Sequence, residues 1–263
     1  MIHHPFRFGV VAGHAPDAGA WAGLARRAES LGYDTLLVPD TLGTLSPFAA
    51  GAAAATATTT LGVGTYVLCA PLRTPEAVAW ETATLRTLSG GRFELGLGAG
   101  RPDAAADAVR LGVDYGTPSR RIDRLERTLD AVEDVPILIA ATGPKMLRLA
   151  AARARTVALG LPPHSTEEHL AAKLDELYEL AGDRFKELEL NINLAVVGDE
   201  QPAWTVSRFG ALDATAVGRL SGTVEQMVDR LNRRRDKLGV SYVSVNGQFL
   251  EQFAPVVERL AGT

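Results

Sequence analysis

Cysteine is almost absent: Cys69 is the only one in 263 residues. An internal disulfide and any structural zinc site built on several cysteines are therefore excluded. Aromatic residues are scarce, at 6%, so aliphatic side chains and alanine must fill the interior and let elements pack closely. No run of about eighteen apolar residues occurs and no signal-type apolar segment opens the chain, so a membrane partner is not expected and the protein reads as soluble and cytoplasmic. Neither sign of charge dominates. Lys+Arg 27 against Asp+Glu 31 gives a formal net charge of −4, and the basic residues are dispersed, which argues against a nucleic-acid partner. The triplet Arg233 to Arg235 reads as a solvated helix face. No two of the five histidines have the spacing of a helical metal pair, so no metal site is expected. No Pro-, Ser- or charge-rich linker interrupts the chain, which predicts one domain over residues 1–263.

What is present is hydrophobic content of 46%, arranged as eight short apolar runs each followed by a helix-like stretch. That rhythm predicts an α/β fold, a single (β/α)₈ TIM barrel. Strands are predicted over 6–12, 35–38, 61–68, 93–97, 136–141, 156–161, 188–197 and 242–245. Helix starts are marked by Ser46 with Pro47, Thr74 with Pro75, and Pro144. Two capping boxes, Ser165 with Glu168 and Thr223 with Gln226, mark two more. The stretch after Gly100 reads as a polar loop up to the helix carrying Ile122, Leu125, Leu129 and Val132. The segment from Gly198 to Gly222 is long for a barrel loop, which predicts a lid or a mobile linker.

Barrels of this class work where strands end and helices begin. That rule gathers His14, Asp40 with Thr41, Tyr66 to Arg73, Gly98 to Arg101, Thr142 to Met146, His164 and Asn246 to Gln248 on one rim. It sends Ser89 to Arg92 to the opposite, structural face. Gly96, Gly98 and Gly100 alternate along a strand end, which either bares the backbone for a flat ring or a phosphate, or relieves crowding in the barrel. Their spacing does not fit the dinucleotide fingerprint. Thr142, Gly143, Pro144, Lys145 and Met146 join a strand to a helix and expose unpaired amides at the positive end of its dipole, an anion site worth about 0.3 to 1 kcal/mol per exposed interaction; the bland alternative is a plain turn with a solvated lysine. Asp40 points at the mouth as an acceptor for a ring N–H or a hydroxyl, or caps the Thr41 loop. Cys69 reads as a small buried hydrophobe. No strand carries a lysine suited to Schiff-base chemistry, which argues against an aldolase.

The blocks Leu-Gly-Val-Gly-Thr (61–65), Pro-Leu-Arg-Thr-Pro-Glu (71–76), Leu-Ser-Gly-Gly-Arg-Phe-Glu-Leu-Gly-Leu-Gly-Ala-Gly (88–100) and Pro-Ile-Leu-Ile-Ala-Ala-Thr-Gly-Pro-Lys-Met-Leu (136–147) resemble the luciferase-like monooxygenase superfamily. Within it, they resemble the branch dependent on the deazaflavin coenzyme F420. The resemblance implies a tricyclic ring across the barrel mouth. Its cofactor-binding residues would be Asp40, Tyr66, Val67, Leu68, Gly98, Gly100, Arg101, Thr142, Gly143, Pro144, Lys145 and Met146, with the phosphate at the start of the helix that Pro144 opens. It implies a cis peptide bond between Tyr66 and Val67, and a homodimer. The catalytic residues it implies are His14, Asp40 and Tyr66, with a small-molecule substrate reduced at a C=C, C=N or C=O bond. Two features depart from the family pattern. Thr41 stands where many relatives have a histidine, and Arg101 where some have a glutamate, so His14, Tyr66 or water must supply the proton; Arg101 would attract an anionic group or stand solvated. The insertion that relatives carry before the fifth strand is trimmed to Glu133, Asp134 and Val135. FMN in place of F420 would make the protein a monooxygenase, and a non-catalytic flavin-binding barrel is the third alternative.

Overall fold

The computed structural model describes residues 4–263. Its first half runs β1 (Arg7–Val11), α1 (Ala18–Ser30), β2 (Thr35–Val38), α2 (Pro47–Ala57), β3 (Gly62–Thr65), β4 (Leu68–Cys69), α3 (Pro75–Leu88), β5 (Phe93–Gly98), α4 (Ala104–Leu111) and α5 (Pro118–Ala131). The second half runs β6 (Ile137–Ala141), α6 (Pro144–Arg153), β7 (Thr156–Leu159), α7 (Glu167–Ala181), β8 (Glu189–Leu194), β9 (Val196–Val197), α8 (Ala203–Phe209), β10 (Arg219–Leu220), α9 (Val224–Leu238), β11 (Val240–Asn246) and α10 (Leu250–Leu260). The alternation is that of a (β/α)₈ barrel, with the trimmed connection between α5 and β6.

The chain divides into two compact units. One holds the residues up to Val11, Ser30–Asp34 and everything from Ala141 onward. Its strands pair in parallel, β1 with β11, β11 with β8 and β8 with β7, Phe8 lying opposite Val243. At the beginnings of these strands Arg7 bridges Glu189 at 2.7 Å and Thr156 donates to the same carboxylate oxygen at 2.7 Å. Buried charge is tolerable here because it is paired and hydrogen-bonded. The strand-beginning end of a barrel carries stability rather than chemistry. The other unit holds Ala12–Glu29 and Thr35–Ala140. Its strands are also parallel: β2 pairs with β3, β3 and β4 with β5, and β5 with β6. All six residues of β5 and all four of β2 are buried, as expected of strands covered on both faces.

Helix starts behave as the caps predict at Thr74, whose hydroxyl accepts from Ala77 N at 3.1 Å, and at Thr223, which forms the capping box with Gln226. The box near Ser165 is displaced by one residue. Thr166 is the cap and His169 its partner, because Ser165 is buried in a turn, its amide on Pro162 O and its carbonyl on Val217 N. Helix α4 occupies part of the stretch read as a loop. Its eight residues sit amid Gly, Pro and Asp punctuation, and only Ala104 and Ala108 are buried. The basic triplet is not a solvated face: Arg233 is exposed, but Arg234 is 1% exposed on Glu167, and Arg235 stacks 4.2 Å from the Phe6 ring. Residues 198–222 are not a loose linker. They hold α8 and β10, which pairs with the preceding β9, and Leu212 and Ala216 pack on Ala195 and Val196 with Phe209 against them.

Candidate functional site

In the unit containing Thr35–Ala140, the site is built where β2, β3 and β5 end. The ladder between β2 and β3 closes with Tyr66 N on Val38 O at 2.8 Å. The next peptide bond, Tyr66–Val67, is cis, as the resemblance implies. Beyond it the chain comes back beside β5 as β4, with Leu68 opposite Leu97 and Cys69 opposite Gly98.

The alternating glycines have a packing explanation. A Cβ at Gly96 would collide with the Thr65 carbonyl oxygen, and one at Gly98 would come within 2.8 Å of Val67 Cγ2. Thr65 also exchanges two hydrogen bonds with Gly96, its hydroxyl donating to the carbonyl at 2.6 Å and accepting from the amide at 2.9 Å. The bare face of β5 is therefore covered by Thr65 and Val67, which is the crowding-relief reading of the run. At Gly100, φ is +80°, and a Cβ would meet the Tyr115 hydroxyl and, at 2.9 Å, Cys69 Sγ. Only glycine suits that combination.

Asp40 has both carboxylate oxygens engaged. Oδ2 accepts from the Cys69 amide at 2.9 Å and from Arg73 Nη1 at 2.6 Å, and Oδ1 accepts from Arg73 Nη2 at 3.1 Å. The carboxylate is 6% exposed, and it neither caps the Thr41 loop nor stands free to meet a ligand. Arg73 continues to Glu81, Nε to Oε2 at 3.8 Å, and lies 6.0 Å from the Phe48 ring. Burial pushes the Glu81 carboxyl up, against the pull of the Arg73 guanidinium. Burial, and then the charge of Asp40, pushes the Cys69 thiol up to about 12, so the cysteine is inert, as the sequence suggests.

Arg101 pairs with Asp103 at 2.7 Å, both exposed, and such a pair adds little. It is Arg121 that reaches the end of β5, donating from Nε to Ala99 O at 3.0 Å while stacking 4.6 Å from the Tyr115 ring. His14 is exposed, its Nε2 donating to Gly43 O at 2.8 Å. It borders an open groove of about 390 Å³ with Ala15, Pro16, Leu42 and Leu45. Three further arginines, Arg120, Arg124 and Arg127, line a cavity of about 250 Å³ beside Tyr115. Their spacing along one helix face was the available signal. Arg73 lies within a stretch placed on the rim, but nothing in its sequence neighbourhood names Asp40 as its partner.

In the other unit, Gly143 is the cap of α6 and Pro144 its first residue, with no side chain capping the helix. The first-turn amides of Lys145 and Met146 then have no intrahelical carbonyl to meet. Thr142, Pro144 and Lys145 are exposed, while Met146 and Leu147 are buried and anchor the turn. Gly143 has φ −100°, and a Cβ there would meet nothing within 4 Å. Neither backbone nor packing demands glycine, so the helix start opens onto free space. Gly160 is different: a Cβ there would strike the Thr142 hydroxyl, so its bareness gives Thr142 room. An uncapped helix start with open space and an adjacent ammonium suits a phosphate.

The family described as luciferase-like monooxygenase matches residues 1–134 and, overlapping, 112–236. Among solved structures, the chain is similar to the coenzyme F420 dependent tetrahydromethanopterin reductase from Methanopyrus kandleri, with 17% identity, 98% of this chain and 100% of that chain covered, and a TM-score of 0.76. It is similar to an F420-dependent secondary alcohol dehydrogenase in complex with an F420-acetone adduct, with 17% identity, 98% and 99% covered, and a TM-score of 0.75. A third is the oxygenating constituent of 3,6-diketocamphane monooxygenase from the CAM plasmid of Pseudomonas putida, in complex with FMN, with 13% identity, 96% and 95% covered, and a TM-score of 0.72. No curated protein matches the sequence.

Proposed function

The chain belongs to the luciferase-like monooxygenase family, and from that premise we propose that it is an oxidoreductase exchanging hydride between coenzyme F420 and a small organic substrate. The observation that supports the reading is the start of α6, where Gly143 leaves open space that neither its φ nor its neighbours require. There the amides of Lys145 and Met146, with the Thr142 hydroxyl and the Lys145 ammonium, would hold the cofactor's phosphate. Taken by itself, the segment Tyr66, Val67 and Leu68 is the one that the resemblance assigns to a flavin-type ring, with Gly98 and Gly100 keeping that segment in place through the packing described above. When bound, F420 supplies the hydride.

The protein must supply the proton and the orientation. Asp40 is given an orienting role and not that of the acid, since Arg73 and the Cys69 amide engage both of its oxygens. His14 has its Nε2–H committed to Gly43 O, so a proton would be held and released at Nδ1. The apolar residues beside it, Ala15, Pro16, Leu42 and Leu45, suit an uncharged substrate.

The test is titration of the apoprotein with F420 and with FMN, followed by quenching of its three tryptophans. Selective F420 binding with hydride transfer to a carbonyl, imine or alkene acceptor is the expected result. Preference for FMN would replace the reading with a monooxygenase, and binding without turnover would replace it with a flavin-binding barrel. Saturable binding of neither would remove it altogether.

A further inference from the structure

Strand β2 holds its neighbour through main-chain pairing only as far as Thr65, and the last backbone bond between them is Tyr66 N on Val38 O. Three residues later the Cys69 amide needs a partner, and none comes from the β2 backbone. The Asp40 side chain provides it, at 2.9 Å. A carboxylate two residues past the end of β2 thus prolongs the ladder where the main chain has moved out of reach. The segment Tyr66–Cys69 is pinned at both ends, and Val67 between the pins lies on the bare face of Gly98.

A carboxylate does this reliably only if it does not rotate. Arg73 provides that condition. Its two terminal nitrogens grip the two oxygens in the fork geometry that fixes a carboxylate plane, and the pair is largely withdrawn from water, at 21% and 6% exposure. Glu81 steadies the far side of the guanidinium. Lysine could match the charge but not the fork.

We propose that Arg73 is a positioning residue for the ring-binding segment Tyr66–Leu68, acting through Asp40 on the Cys69 amide. The inference rests on the reading above that this segment beds a flavin-type ring. Arg73 itself touches neither ring nor substrate; it sets where the segment sits.

The test uses the full chain and three variants, Arg73→Lys, Arg73→Gln and Asp40→Asn, with two readouts. The first needs no cofactor: amide hydrogen exchange resolved at Cys69 and Tyr66. In Arg73→Lys the Cys69 amide should exchange at least tenfold faster, while Tyr66, bonded to a backbone carbonyl, should keep its wild-type rate. The second is binding of F420 and FMN, with the induced visible dichroism of the bound chromophore. Arg73→Lys should keep a cooperative melt yet bind at least tenfold more weakly with an altered dichroic band, and Asp40→Asn should do the same. Wild-type exchange at Cys69 in Arg73→Lys overturns the proposal, as does wild-type affinity with an unchanged band. If Arg73→Gln or Asp40→Asn does not fold, the lysine variant decides. Should the wild type bind neither chromophore, the cofactor reading fails by itself, while the exchange data still decide whether Arg73 governs the segment.

Discussion

Glu29, at the end of α1, offers a prediction whose size follows from counted hydrogen bonds. Its Oε1 accepts the amides of Thr59 at 2.8 Å, Thr60 at 2.6 Å and Leu61 at 3.0 Å, together with the hydroxyls of Thr60 at 3.0 Å and Thr59 at 3.3 Å. The Thr60 amide foremost, working against burial and joined by those of Leu61 and Thr59, lowers the carboxyl from 4.5 to about 2. One pKa unit is about 1.4 kcal/mol, so the shift sets a ceiling of roughly 3 kcal/mol. Water screening at this partly exposed site reduces it to about 1–2 kcal/mol. The folded-state value lies below the unfolded one. The stabilisation is therefore complete above the unfolded value near 4.5 and is lost as pH falls toward 2. Glu29→Gln keeps the shape and an acceptor oxygen but removes the charge. At pH 7 it should lower stability by about 1–2 kcal/mol in urea unfolding, on the order of 2–6 °C in a thermal melt. The gap between variant and wild type should close as both are titrated from pH 5 toward pH 2.5. A penalty of constant size across that range would refute the carboxylate-nest account.

Gly96→Ala should prevent accumulation of folded protein, because the added methyl meets the backbone oxygen of Thr65, whereas Gly98→Ala meets only a movable Val67 methyl and should cost about 1–3 kcal/mol; solubility and urea midpoints check the order. Gly143→Ala should leave the melting temperature within about 2 °C, since its Cβ enters open space, yet weaken binding of the phosphate-bearing cofactor about tenfold or more; calorimetric titration measures this, and unchanged affinity would remove the anion site from α6. Arg92 donates to the carbonyls of Ala55, Thr58 and Leu61. Arg92→Ala should therefore lose roughly 2–3 kcal/mol by leaving buried carbonyls unmet, with cofactor affinity unchanged, as befits its place away from the site.

The barrel was legible because buried strands read as unbroken apolar runs and because Thr74 and Thr223 cap locally, within three residues. What escaped depends on distance along the chain. Asp40 and Arg73 are separated by 33 residues, and neither advertises the other. Sequence placed the carboxylate at the rim, but not the guanidinium that would occupy it. The glycines of β5 were equally ambiguous until Thr65 and Val67 were found lying on them. Helix α4 was hidden by its short length, and Arg234 by the convention that consecutive arginines face water. By contrast, the uncapped start of α6 with its glycine could be read directly, since backbone amides need no distant partner to be exposed.

Besides its apolar packing, the excursion between β9 and α9 is held by guanidinium groups. Arg230 donates to Ala214 O at 2.6 Å and Thr215 O at 2.8 Å, Arg234 to Val217 O at 3.2 Å, and Arg219 to Leu212 O at 2.8 Å. Every one of those acceptors is a peptide oxygen, which all residue types possess. At the exposed positions Ala214 and Thr215 the side chain can consequently change with the path preserved, so long as the three arginines, two of them on α9, and the apolar packing of Leu212 and Ala216 are kept. Backbone path and side-chain identity are thereby uncoupled at those two positions.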